Sequence, residues 1–84
     1  MNTTVQLRYF AGVAEAAGTA EENVEVAAGT TAAGLRDQLA ALHGPDFART
    51  LGVSALLSDG VRVGDDAELP TGIRLEVLPP FAGG

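Results

Sequence analysis

The residues of this chain best suited to chemistry are its last ones, Gly83-Gly84, together with the Pro79-Pro80 pair that precedes them. Proline has no N–H to give to a strand ladder and holds φ near −65°, so a strand that reaches Pro79 must stop there. The stretch from Pro79 to Gly84 is expected to project from the folded body, and a segment of that length spans about 20 Å when extended. That is long enough to enter the active site of another protein. Glycine lacks a Cβ, adopts almost any φ, and passes through a channel too narrow for a side chain. The group delivered would be the Gly84 carboxylate. Attack of that carboxylate on the α-phosphate of ATP gives an acyl-adenylate, which sulfur or another nucleophile then displaces.

The rest of the composition narrows the alternatives. The chain has no cysteine, which excludes disulfides, thiolate metal ligands and cysteine nucleophiles, so any sulfur it handles is supplied by another molecule. Its five cations are all arginine (Arg8, Arg36, Arg49, Arg62, Arg74), and without an ε-amine it is neither an isopeptide acceptor through lysine nor a Schiff-base enzyme. His43, the single histidine, falls in the last turn of a helical stretch and reads as a capping or surface residue, not a metal ligand. No metal site is expected. No nucleophile, base and orienting group cluster in the sequence, so the chain alone is expected to be a non-catalytic carrier. The net charge of −6, with no basic run, argues against nucleic acid and would steer the chain towards a basic partner surface.

The elements that must position the tail follow from length and periodicity. With 84 residues, 46% apolar and 19% charged, the chain has one modest core and one domain, read as residues 1–78 followed by a Gly-Gly tail over 79–84. No segment has the length of a membrane span and no basic-then-apolar leader opens it, so a cytoplasmic location is expected. Val5, Leu7 and Tyr9 alternate with Gln6 and Arg8 as a half-buried strand, residues 11–18 suit a short helical turn or loop, and residues 23–27 alternate again. A helix starts at Thr30 or Thr31, carries Ala32, Leu35, Leu39 and Leu42 on one face, and ends at Gly44-Pro45. Residues 46–52 show no period and are expected to be an irregular connection anchored by Phe47 and Leu51. Ser54 to Ser58, the Asp59-Gly60 turn and residues 61–63 form a hairpin. The last strand, residues 73–78, points Ile73, Leu75 and Val77 inward and leaves Arg74, Glu76 and Leu78 outward. This order gives an α+β roll, and a β-grasp if the first and last strands lie side by side under the helix.

The ending Leu78-Pro79-Pro80-Phe81-Ala82-Gly83-Gly84 resembles the "LPPxxGG" terminus of the molybdopterin synthase small subunit, within the MoaD and ThiS group of sulfur carriers. Leu7-Arg8-Tyr9-Phe10-Ala11 is similar to that group's "yFA" first strand, residues 12–18 to its "reaG" segment, and Thr30 to Leu42 to its "tv..Lr..L" helix. The resemblance implies a ubiquitin-like β-grasp roll with a mixed sheet. It also implies that an E1-like adenylyltransferase of the MoeB type uses ATP and magnesium to adenylate Gly84, which sulfur from a persulfide donor then converts to a thiocarboxylate. The thiocarboxylate would enter a large synthase subunit of the MoaE type, in a heterotetramer, to build the dithiolene of molybdopterin. This chain would bind no metal or nucleotide of its own. Gly83 and Gly84 would be the reacting end, with Val61, Leu78, Pro79, Pro80, Phe81 and Ala82 as partner contacts and Val61 near the same face as Leu78. Two positions depart from the pattern: Leu69-Pro70-Thr71-Gly72 lacks the usual acids, and Leu57-Ser58 replaces the "vN" before the hairpin. Thiamine-thiazole or cysteine-synthesis carriers and a ubiquitin-like protein modifier are the alternatives.

Overall fold

The computed structural model describes residues 1–80. Strand β1 (Asn2–Tyr9) buries Thr3, Val5, Leu7 and Tyr9 and exposes the residues between them, the period of two expected from its sequence. It pairs antiparallel with β2 (Glu21–Ala27) and parallel with β5 (Arg74–Leu78), which in turn pairs antiparallel with β3 (Ala55–Ser58); β3 carries the two-residue β4 (Val61–Arg62). The sheet order is therefore β2-β1-β5-β3-β4. The first and last strands lie side by side at its centre. With a helix across one face, this mixed sheet is the ubiquitin-like β-grasp.

Three helices cover the buried face of the sheet, and the opposite face is exposed. The helix α1 (Ala11–Ala17) buries Val13 and ends on Gly18, whose φ of 77° is the left-handed conformation that glycine adopts without strain. The main helix α2 (Ala32–His43) begins under a Thr31 side-chain oxygen that accepts the Gly34 N–H, and it buries Ala32, Leu35 and Leu39 against the sheet. Leu42, expected on that stripe, is instead 60% exposed. The inward position of the last turn goes to His43, four residues after Leu39, because α3 (Pro45–Gly52) closes that end of the core.

That third helix replaces the irregular connection expected from the sequence. Gly44, with φ of 97°, ends α2 and directly precedes Pro45, a residue whose fixed φ and missing N–H suit the first helical position. Phe47 and Leu51, one turn apart, are fully buried, and Asp46 and Arg49 occupy the first and last turns with the signs that the helix dipole favours. Arg36 locks the helices to the hairpin: its guanidinium donates to the carbonyls of Leu51 (2.6 Å) and Ser54 (2.8 Å) and to the Asp65 carboxylate (3.2 Å). In the hairpin itself, Asp59 and Gly60 both have positive φ, 51° and 79°, as a two-residue turn matched to strand twist requires.

Candidate functional site: the face from which the tail departs

Strand β5 is central, and its outward residues set the surface on which the chain emerges. The register aligns one row across all five strands, Glu21, Arg8, Glu76, Leu57 and Arg62, and a second row of Asn23, Gln6 and Arg74. Leu78 ends β5 opposite Ala55. Phe10 lies beside this end of the strand, its N–H donating to the Val77 carbonyl at 3.2 Å and its ring 5.5 Å from the Arg8 guanidinium carbon. Phe10, Ala55, Leu57, Leu78 and Pro79 are all partly buried, and Pro80 is exposed. The result is an apolar strip at the exit of the chain, bordered by Arg8, Arg62 and Arg74.

Charge is distributed unevenly around this strip. The outer sheet face carries three arginines and three glutamates (Glu21, Glu25, Glu76), so the net charge of −6 resides entirely on the helical side and the connecting loops. Arg62 and Arg74 have no carboxylate within ion-pair distance among the described residues; Arg74 donates instead to Gln6 at 3.4 Å.

Val61 does not share the strip. It is 68% exposed, but its register with Ser58 turns it to the helical side of the sheet edge, and its neighbour Arg62 is the residue that joins Leu57 on the outer face. The two-residue turn dictates this pairing, so the placement of Leu57 and Arg62 was available from the sequence once the hairpin was laid out strand against strand. Phe81, Ala82, Gly83 and Gly84 lie outside the described residues.

Much of the backbone along the β2 edge is already engaged. On β2 the register points the N–H and C=O of Glu21, Asn23, Glu25 and Ala27 away from β1. Thr19 covers Glu21, the Gln38 amide donates to the Glu25 carbonyl at 2.7 Å, and Thr30 donates to that of Ala27. Such capping is how an edge strand is kept from pairing with other chains.

A second polar cluster lies on the opposite, helical side. Glu22 accepts the Tyr9 hydroxyl at 2.5 Å and also contacts His43 Nε2 at 2.5 Å, while the His43 ring packs against Phe47 with centroids 4.5 Å apart. His43 and Glu22 side chains are only 15% and 19% exposed, so the histidine is a packed member of the core rim and not the capping or surface residue expected. Burial, followed by the hydrogen bond to Glu22 and that residue's charge, raises the Tyr9 phenol far above its ordinary range. The cluster joins β1, β2, α2 and α3 and contains no activated nucleophile. Among the described residues, no group of three or more His, Asp or Glu side chains is placed to hold a metal, and no helix is long and apolar enough to cross a membrane.

The model of the ThiS family matches residues 7–84, nearly the whole length of the chain. The chain belongs to the ThiS family. Members of this family are ubiquitin-like sulfur carriers, and the β-grasp described above is their fold. No curated protein matches this ThiS-family chain in sequence. Among solved structures, SAMP1 from Haloferax volcanii aligns with a TM-score of 0.81 at 26% identity, covering 96% of this chain and 99% of that one. Subunit 1 of a putative molybdopterin-converting factor from Pyrococcus furiosus shares the fold, with a TM-score of 0.78 at 23% identity over 93% and 98% of the two chains. A complex of subunits 1 and 2 of the molybdopterin-converting factor from Helicobacter pylori contains a chain similar over 98% of this one and 100% of its own, at 25% identity and a TM-score of 0.63.

Proposed function

We propose that this chain carries sulfur on Gly84 for the dithiolene of molybdopterin. An E1-like adenylyltransferase of the MoeB type adenylates the Gly84 carboxylate with ATP and magnesium, and a persulfide donor converts the acyl-adenylate to a thiocarboxylate. The loaded end then enters a large synthase subunit of the MoaE type, two copies of each forming a heterotetramer. The chain itself holds no nucleotide or metal, and the ATP-dependent step takes place in the cytoplasm. The observation that carries this reading is the placement of Leu78-Pro79-Pro80 at the end of a central strand, beside a partly buried apolar strip, with the family match continuing through Gly84. Residues 1–78 act as the docking body and 79–84 as the arm. Leu78 and Pro79 lie on the docking strip, Pro80 directs the arm, and Phe81 and Ala82 lead to Gly83 and Gly84.

The test is complementation. In cells lacking their own small synthase subunit, the chain restores a molybdenum-dependent nitrate reductase, and deletion of Gly84 or addition of one residue after it abolishes the rescue. Relief of a thiamine or cysteine requirement without rescue of the molybdoenzyme would move the chain to another sulfur pathway. Similarity to SAMP1 supports one second reading, a protein modifier in which Gly84 is joined to an amine.

A further inference from the structure

The carrier reading makes Gly84 an electrophile at one stage of its cycle, and this inference rests on that reading. Once activated, its acyl carbon is open to attack by any amine within reach. The residues most exposed to such an encounter are those of the outer sheet face around Leu78. Arg8 is on the strand next to β5 and Arg62 is two strands away, so at about 4.8 Å per strand Arg62 is displaced laterally by about 10 Å. Arg74 is four residues back along β5 itself, about 13 Å at strand rise. All three lie within the span of about 20 Å that six residues cover. Every cation at these places is an arginine, in a chain with no lysine and no cysteine. The guanidinium stays protonated at any physiological pH and has no lone pair to offer an acyl group, whereas a lysine releases a nucleophilic amine. An α-amine at Met1 would stand at the far end of β1, parallel to β5 and eight residues before the Tyr9–Val77 pair. That is about 26 Å at strand rise and beyond the reach of the same molecule's arm.

We infer that Arg8, Arg62 and Arg74 form a cationic border that withholds an acceptor from the chain's own activated terminus. They supply charge for docking, and the acyl group passes only to other molecules. The reaction that they avoid is aminolysis. A lysine nitrogen bonds to the Gly84 carbonyl carbon, the leaving group departs with the electron pair of its bond, and the ammonium proton goes to solvent, leaving a dead-end internal amide.

The test needs no activating enzyme, so its outcome is separable from that of the carrier reading. The chain is produced with a Gly84 thioester of mercaptoethanesulfonate by intein cleavage, and Arg8→Lys, Arg62→Lys and Arg74→Lys are compared with the parent and with Arg49→Lys, an exposed site on α3 behind the sheet. Circular dichroism confirms that each variant is folded. At mildly alkaline pH, the exit-face variants lose the thioester several-fold faster than the parent and yield a product lighter than the hydrolysed chain by one water, with the amide mapped to the new lysine. Parent and Arg49→Lys only hydrolyse. Exit-face variants that hydrolyse at the parental rate without amide would overturn the inference, as would an internal amide or ester in the parent, or equal cyclisation by Arg49→Lys.

Discussion

Tyr9 gives the most quantitative handle on the structure, because it is the single tyrosine in a chain without tryptophan and its hydroxyl is tied to Glu22. Burial and the Glu22 carboxylate hold the phenol protonated in the folded state, while the unfolded chain ionises near the ordinary value of about 10. Above that pH the folded state therefore holds one more proton than the unfolded state, and stability must fall as pH rises. The slope approaches about 1.4 kcal/mol per pH unit, so about 2 kcal/mol is lost between pH 10 and 12. That is a large part of the several kcal/mol available to a domain of this size. Below pH 10 this contribution is fully present. The assay is urea unfolding of the parent and of Tyr9→Phe at successive pH values, with tyrosinate absorbance followed in parallel. The parent loses its advantage with the stated slope, and tyrosinate appears only as the fold is lost. Tyrosinate forming with an ordinary midpoint while the circular dichroism stays native would refute the buried Tyr9–Glu22 contact.

Other consequences are as direct. Glu22→Ala leaves the Tyr9 hydroxyl and His43 without their shared acceptor and lowers the unfolding free energy by about 1–3 kcal/mol, measured in urea. Leu78→Asp or Leu57→Asp weakens partner complexes by ~2 kcal/mol or more, read by titration calorimetry, with the fold retained, whereas Val61→Asp on the other side of the sheet edge leaves affinity near parental. Ala11 has a φ of 50°, which costs an L-residue about 1–2 kcal/mol; Ala11→Gly raises the thermal midpoint, and a lowered midpoint would contradict that backbone assignment.

Much of the fold was legible because its signals were local. Alternation marked Val5, Leu7 and Tyr9, Asp59-Gly60 announced its turn, and Thr31 capped its helix, each through interactions within a few residues. Glu21 and Glu22 were harder, since they extend β2 only because β1 lies beside them and, for Glu22, because Tyr9 and His43 satisfy its carboxylate. Gly44-Pro45 is a stop signal for α2 and also the start of α3, a double role that local propensity does not resolve. Leu42 lost its place on the buried stripe to His43 for a tertiary reason, the packing of Phe47 against the histidine ring. The end of the last strand was legible at Leu78 and Pro79-Pro80, because proline cannot continue a ladder. The expected pull towards a basic partner missed the placement of three arginines on the outer sheet face, because net charge carries no information about which side of a sheet holds it.

If Gly84 is the working group, loading with sulfur changes the mass of the chain at that residue. The chain is incubated with an E1-like adenylyltransferase of the MoeB type, ATP, magnesium and a persulfide donor, and is then measured intact and after proteolysis. One oxygen of the Gly84 carboxylate is expected to be replaced by sulfur, in a change that requires ATP and is absent when Gly84 is deleted. A chain that stays an unmodified carboxylate while the same enzyme loads its own carrier would contradict that role, as would sulfur found anywhere other than Gly84.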